Sequence, residues 1–179
     1  MKKVLLSAVA LLAFGFANAQ DKDSNGGQTS KGKYLIEANT NFGAAHGSNT
    51  GFGLTSVDGD TGYNLGLEGG YFVMDNLAIK AGLGYGDASS EDSVDGMFSY
   101  KLGAKYYVNG MIPVQVDFNG ASGNDVSPMF LGLQGGYAIF LGQNVSIEPG
   151  LRYDFGMNED AGDGDFNPFS LRVGFALHF

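Results

Sequence analysis

The sequence contains no cysteine and no tryptophan, and prolines, histidines and basic residues are few. Without cysteine the chain can form no disulfide framework and has no site for a lipid anchor behind its leader. Nineteen Asp and Glu residues outnumber ten Lys and Arg residues, so the formal net charge is −9 at pH 7. Because the chain is acidic and has no basic patch, we expect no nucleic-acid partner.

The first nineteen residues have the pattern of a secretory signal peptide. Two lysines precede an apolar stretch, and Ala17-Asn18-Ala19 supplies small residues for cleavage. Cleavage there would remove two of the ten basic residues and no acidic residue, which leaves a net charge of −11. We predict an exported chain with a signal peptide over residues 1–19, a flexible lead-in over residues 20–32 and one domain over residues 33–179.

From residue 33 onward, apolar and polar residues alternate with a period of two, and no stretch has a convincing helical period. Breaks rich in Gly, Asn and Asp separate eight such segments. Each is long enough for a tilted membrane-spanning strand of about 9–11 residues, although the fifth is marginal. The segments are residues 33–43, 62–74, 77–86, 97–108, 111–118, 128–141, 144–155 and 168–179.

Sorting each segment by parity separates an apolar face from a charged face. The apolar face carries no charge, whereas the other face holds five acidic and five basic residues. Parity alone does not say which face is inside, because a water-soluble sheet protein would bury the apolar face. The ten charged residues are Glu37, Glu68, Lys80, Lys101, Lys105, Asp117, Glu148, Arg152, Asp154 and Arg172.

The connections indicate which face is outside. Asp75-Asn76, Asn109-Gly110 and Gly142-Gln143 are predicted two-residue hairpin turns in which Asn or Gly supplies a positive φ. Short turns at one end and long loops at the other are typical of an outer-membrane barrel. With the leader and the strand lengths, they place the apolar face toward lipid. The long connections are residues 44–61, 87–96, 119–127 and 156–167.

We therefore predict an all-β fold, an eight-stranded antiparallel transmembrane β-barrel with an up-and-down meander and both termini in the periplasm. Because backbone groups in hydrocarbon must be paired internally, the last strand should pair with the first. Pro113 and Pro149 then need bulges or strand ends, since a closed barrel has no edge strand. Aromatic residues near both ends of the segments predict two interfacial belts.

The C-terminal segment LRVGFALHF resembles the signature of outer-membrane barrels that the barrel assembly machinery reads. With GGYFVMDNLAIKAGLGYG (69–86), it makes the chain from about Lys33 resemble the small eight-stranded outer-membrane barrels of the OmpA transmembrane-domain and OmpX type. The resemblance implies a Gram-negative outer membrane, its lipids and the assembly machinery as partners, and we expect a monomer. The residues of the assembly signal are Leu171, Val173, Phe175, Leu177 and Phe179.

An eight-stranded barrel is narrow enough to be filled by side chains, so the ten inward charges should pair and plug the lumen. We predict a structural or surface-interaction role, exercised through acidic extracellular loops. The alternative is a narrow, porin-like path for ions or small solutes, gated by exchangeable ion pairs.

The long connections hold eleven acidic residues and neither Lys nor Arg. Such loops attract cations, and divalent cations or surface ligands are candidate partners. Asp160, Asp163 and Asp165 offer carboxylates to Ca²⁺, but they do not fit the twelve-residue calcium loop, and a solvated acidic loop is the favoured interpretation. We expect no cofactor and no resident metal.

Catalysis has little support, and we predict that the chain is not an enzyme. His46-Gly47-Ser48-Asn49 resembles the His-x-Ser-Asn motif of outer-membrane lipid A deacylases, where His and Ser would act as base and nucleophile. In that family the motif lies late in the chain beside an orienting acid, whereas here it lies in the first long connection. A lipid A-modifying enzyme is the weaker alternative, and His178 is expected in the lumen or at the periplasmic rim.

Overall fold

The computed structural model describes residues 27–43, 50–57, 60–88, 96–123 and 125–179. The predicted signal peptide and the motif at residues 46–49 lie outside these residues. No helix in the described ranges is long and apolar enough to cross a membrane. The elements are β1 (Tyr34–Gly43), β2 (Gly53–Val57), β3 (Asp60–Met74), β4 (Leu77–Ala88), β5 (Met97–Val108), β6 (Ile112–Ser122), β7 (Met129–Gly136), β8 (Ile139–Phe140), β9 (Val145–Gly156), a 3-10 helix (Glu159–Ala161) and β10 (Phe169–His178).

The strands form a closed antiparallel barrel with eight positions. Neighbours follow the chain from β3 to β10, with β7 and β8 sharing one position, and β1 pairs with both β10 and β3. At the end of the chain, the Tyr34 N–H donates to the Phe179 C=O at 2.7 Å, and the Phe179 N–H donates back at 3.0 Å. The predicted eight-stranded meander, closed by its last strand, is therefore confirmed.

Large apolar side chains cover the outside of the barrel, and charged side chains lie inside it. Leu83 and Leu102 leave about three-fifths of their surface exposed (59% and 61%), whereas Glu68 on the inner face is fully buried. This is the reverse of a water-soluble barrel. Exposed aromatic side chains lie near both ends of the outer face: Tyr63, Tyr71, Tyr85, Tyr106, Phe118, Tyr137, Phe155 and Phe169.

Three tight turns lie at the end that we call the short-turn end; the opposite end is the long-loop end. Asn76, Asn109 and Gly110 have positive φ values of 67°, 52° and 73°, as the hairpin prediction requires. Two turns are longer than predicted, because β6 starts only at Ile112 and residues 141–144 separate β8 from β9.

The first long connection differs from its prediction as a loop over residues 44–61. It contains β2, which pairs with β3 from Gly53–Asn64 to Val57–Asp60. The β1–β3 pairing covers Tyr34–Glu37 and Glu68–Tyr71. Nearer the long loops, β2 pairs with the first residues of β3 instead. The strand satisfies backbone groups of β3 that β1 does not reach.

The two prolines differ: Pro113 lies at a strand end, as predicted, whereas Pro149 lies inside β9, in register with Val173 of β10 and without a bulge. Pro113 is the second residue of β6, next to a turn. Pro149 lies in β9 beside the break between β7 and β8, where its C=O accepts from the Tyr137 N–H at 3.0 Å. The break means that the segment predicted over residues 128–141 is two strands.

Candidate functional site in the lumen

The structure places all ten predicted lumen residues on the inner face, each of them buried. They occupy β1, β3, β4, β5, β6, β9 and β10, so strands from the whole circumference contribute to one interior. Seven ion pairs link nine of the ten residues. These pairs form two clusters, one around Lys80 and one around Arg152.

The first cluster is built on two glutamates that face each other across the β1–β3 pair. Glu37 and Glu68 are directly opposite in register, a placement that is destabilising for like charges. The Lys80 ammonium on β4 lies 2.8 Å from a carboxylate oxygen of each. Lys80 therefore cancels the repulsion within the β1–β3 pair, one of the two pairings that hold β1 in the barrel.

Two further lysines extend this cluster across the lumen. Lys101 Nζ lies 2.5 Å from Glu68, and Lys105 Nζ lies 2.6 Å from Glu37 and also contacts Glu148 on β9. The Tyr107 hydroxyl donates to Glu148 at 2.8 Å. Each carboxylate thus has more than one donor, as buried charges require.

The second cluster holds the Arg152 guanidinium between two aspartates. Both terminal nitrogens of Arg152 donate to the two Asp117 oxygens at 2.7 Å, a bidentate contact. Arg152 also donates to Asp154 at 2.6 and 2.9 Å. The Asn119 amide donates to both aspartates at 2.9 and 3.0 Å.

Neutral side chains join the clusters, and the sequence analysis did not single them out. Gln115 accepts from Lys80 at 2.9 Å and donates to Asp117 at 2.7 Å, which connects the two clusters. Asn39 donates to Glu37 at 2.9 Å, and Thr50 donates to Glu68 at 2.7 Å. Gln115 and Asn39 could have been identified from sequence, because they have the same parity as the charged residues on their strands. Thr50 could not, because it lies outside any predicted strand.

Glycines on neighbouring strands make room for the charged side chains. Gly132 lies in register with both Asp117 and Asp154, and a Cβ there would overlap the Arg152 guanidinium. Gly82 lies in register with Glu68, and its added Cβ would lie 2.9 Å from the Glu68 Cγ. The lumen is therefore filled by long side chains that lie over bare backbone.

Arg172 differs from the other nine charges. It is buried, and among the described residues no carboxylate lies within 4.0 Å of its guanidinium. Its Nε donates to the Ser170 hydroxyl at 3.5 Å, and one terminal nitrogen has no partner among the described atoms. Arg172 thus lies on the inner face with the other nine charges, as predicted, but it forms no ion pair with the described residues.

An apolar cluster closes the lumen at the short-turn end. It comprises Leu35, Phe72, Ala78, Tyr107, Ala138 and Ala176, with Phe140 packed against it. The His178 ring lies among its aromatic members, 5.3 Å from the Phe140 ring centroid and 6.0 Å from that of Tyr107. Ser146 and His178 are 2.9 Å apart, but both are fully buried, so this pair offers no surface to a substrate.

Two of the acidic loops lie at the opposite end, and their described residues form one ordered unit, the acidic platform of residues 123, 125–128 and 157–168. Asn158 accepts from the N–H groups of Met129 and Ala161 and donates to the Ser127 C=O. Asp160 accepts from the Ser127 N–H at 2.7 Å. These bonds fix the first loop against the second.

The three candidate calcium ligands of this platform are Asp160, Asp163 and Asp165, all exposed. The described residues contain no group of three or more His, Cys, Asp or Glu side chains placed to hold a metal ion. The structure therefore does not assemble these aspartates into a cation site. The residues of the predicted assembly signal lie on the outer side of β10, with Phe179 just after it.

Comparison with solved structures agrees with this architecture. The outer membrane protein OprG from Pseudomonas aeruginosa is 15% identical, with 86% of this chain and 99% of that chain covered and a TM-score of 0.51. Neisserial surface protein A is 17% identical, with 83% and 98% covered and a TM-score of 0.50. This chain has the fold of the small outer-membrane β-barrels. No protein-family model matches the sequence, and no curated protein matches it.

The bridging role of Lys80 predicts a large loss of stability in Lys80→Met. The variant leaves two opposed buried carboxylates with one cation fewer, and the free energy of unfolding should fall by about 3–5 kcal/mol. Guanidinium unfolding in detergent micelles measures it. The control Lys31→Met, at an exposed lysine, should change it by less than about 0.5 kcal/mol. Adding Glu68→Gln to Lys80→Met should restore part of the lost stability. If Lys80→Met proved as stable as the control Lys31→Met, Lys80 would not bridge the two glutamates.

The fit of Arg152 over Gly132 predicts that Gly132→Ala destabilises the barrel by about 1–3 kcal/mol, because the new methyl group displaces the guanidinium. Gly135→Ala is the matched control on the same strand, since nothing lies within 4 Å of a Cβ there. That variant should be neutral or slightly stabilising. Unfolding of both in the same micelles compares them, and equal tolerance of the two methyl groups would show that Arg152 is not held there.

Proposed function

We propose that the chain is an integral outer-membrane protein whose role is structural or one of surface interaction, without catalysis. Export by the predicted signal peptide would deliver it, the C-terminal segment would be read during barrel assembly, and the short-turn end with both termini would face the periplasm. The observation that carries the proposal is the inverted distribution of side chains, with apolar residues outside and ion-paired charges inside. Such a surface suits lipid as its solvent.

The contacts inside the lumen favour a non-conducting barrel over a channel. Nine of the ten lumen charges have ion-pair partners, and the gap between Lys80 and the Arg152 cluster is bridged by Gln115. At the short-turn end the side chains of Phe72 and Tyr107 are fully buried within the apolar cluster. An ion that crossed would have to break the paired network and pass an apolar layer, and both steps are unfavourable.

The acidic platform supports an interaction role at the long-loop end. Asp125, Glu159, Asp160, Asp163 and Asp165 are all exposed on it, and the described platform residues include no Lys or Arg. Because its loops are fixed by the Asn158 and Asp160 hydrogen bonds, the backbone that carries the carboxylates is held in place before any partner arrives. The partner that this surface suits is positively charged.

The closed lumen predicts that the purified protein gives no steady channel conductance in planar lipid bilayers at neutral pH. The physical reason is the series of paired charges and the apolar cluster. A large porin reconstituted in the same bilayers serves as the positive control. Discrete, steady openings of the folded protein would overturn the non-conducting role and favour the small-solute channel.

The charge of the platform predicts weaker binding of a polycation when three of its acids are neutralised. In Glu159→Gln/Asp163→Asn/Asp165→Asn, binding of a decalysine peptide at low salt should fall by about tenfold, since exposed pairs contribute roughly 0.2–1 kcal/mol each. Titration of the peptide into the micellar protein measures the dissociation constant. The triple variant leaves Asp160 and its bond to Ser127 intact.

The control for this experiment is Asp75→Asn, which removes one acid at the short-turn end and keeps an oxygen acceptor for the Lys31 N–H. Its binding should match that of the unmodified protein. Whole-cell binding assays with the same variants then test the surface role directly. Binding that is unchanged in the triple variant would show that the platform is not the interaction surface.

A further inference from the structure

The described part of the N-terminal lead-in, residues 27–32, is bound to the barrel, although the sequence predicts a flexible segment there. We call these residues the strap. The Gly32 N–H donates to the Phe72 C=O at 2.8 Å, and the Lys31 N–H donates to the Asp75 carboxylate at 2.8 Å. Both acceptors belong to the short-turn end, where β3 gives way to β4.

Thr29 is the point at which the strap is held most closely. Its hydroxyl donates to the Asn76 side-chain oxygen at 2.5 Å, and its C=O accepts from the Asn76 N–H at 2.7 Å. Thr29 is only 6% exposed, which is unusual for a polar residue in a segment that the sequence predicts to be flexible. Asn76 in turn accepts from the Tyr107 N–H at 2.8 Å, so the strap connects through one residue to the backbone of an apolar-cluster member.

The strap then reaches the opposite side of the barrel. The Gln28 side-chain amide donates to the Gly142 C=O, 3.2 Å away, in the turn between β8 and β9. In the strand order, four barrel positions separate this turn from the β3–β4 turn in either direction. A segment bonded to both turns therefore crosses the mouth of the barrel at its full width.

Directly inside this mouth lies the apolar cluster. Ala78 is fully buried and is only two residues from Asn76, and Ala138 is four residues from Gly142. The strap and the cluster are consequently two successive layers at the same end. The long-loop end, in contrast, carries the acidic platform.

We infer that the strap is a removable cover over the short-turn mouth, which blocks the approach of water and small solutes to the apolar cluster from that side. The cover is attached through hydrogen bonds at exposed or partly buried positions, whereas the cluster beneath it is held by packing. Its release would need only a few hydrogen bonds to break and would leave the strand ladder intact. This inference concerns the end of the molecule that the proposed interaction role does not use.

The absence of cysteine makes the test direct. Single substitutions Ala78→Cys and Ala138→Cys place a small thiol probe in the cluster, and Ala121→Cys places a matched probe at a buried alanine near the long-loop end. Each is made in the mature chain with the strap intact and with residues 27–31 deleted. The measurement is the rate of modification by a charged methanethiosulfonate reagent in detergent micelles.

The expected result is that deletion raises the modification rates at positions 78 and 138 by about tenfold or more, the change that follows from losing one or two hydrogen bonds. The rate at position 121 should stay constant. Unchanged rates at all three positions would overturn the inference, since the cluster would then seal the mouth alone. A similar rise at all three would also overturn it, because deletion would have loosened the whole barrel.

A milder variant guards against misfolding of the deletion. Gln28→Ala/Thr29→Val removes the side-chain bonds to Gly142 and Asn76 and keeps the chain length. It should raise the rates at positions 78 and 138 in the same direction by a smaller factor. The different gel mobility of unheated and boiled samples shows that each variant is a closed barrel before its rates are compared.

Discussion

A barrel closes only if its first strand finds two neighbours, and here one of the two pairings, that of β1 with β3, sets Glu37 directly against Glu68. Two buried carboxylates in that position would push β1 away from β3. Lys80 lies 2.8 Å from each, and Asn39 donates to both, at 2.9 Å to Glu37 and 3.4 Å to Glu68. Closure, and with it the satisfaction of the backbone along the whole ring, therefore depends on a cation supplied by a third strand.

The same requirement explains why glycine and charge alternate around the inner face. A long side chain that reaches across a narrow lumen needs empty space above the neighbouring strand, and a residue without Cβ provides it. Gly132 lies beneath Arg152, and Gly82 faces Glu68. Large charged residues and glycines thus fill the interior together, as large and small residues do in an apolar core. The filling leaves the two ends of the barrel as the places where other molecules can meet it.

The inner and outer faces could be predicted from sequence because side chains alternate strictly along a strand, so parity assigns each charge to one face. Which charges pair with one another could not be predicted, because the stagger of the strands decides which of them meet. Glu37 and Lys105, for example, are 68 residues apart and in contact. The strand β2 could not be predicted either, because its apolar pattern is short and its pairing with β3 depends on where the β1–β3 pairing stops. Thr50 enters the lumen as a consequence of that pairing, and no local pattern marks it.

The two ends of the barrel differ in how they are organised. At the long-loop end, hydrogen bonds of Asn158 and Asp160 fix two loops whose carboxylates are exposed to water. The charge of these carboxylates acts over several ångströms. At the short-turn end, polar groups of the strap bond to turn residues and lie over apolar side chains. A long-range field can attract a partner from solution, whereas a covered apolar cluster cannot. In the proposed function, a partner would be met at the acidic end, and the inferred cover would close the other end, with the lumen between them.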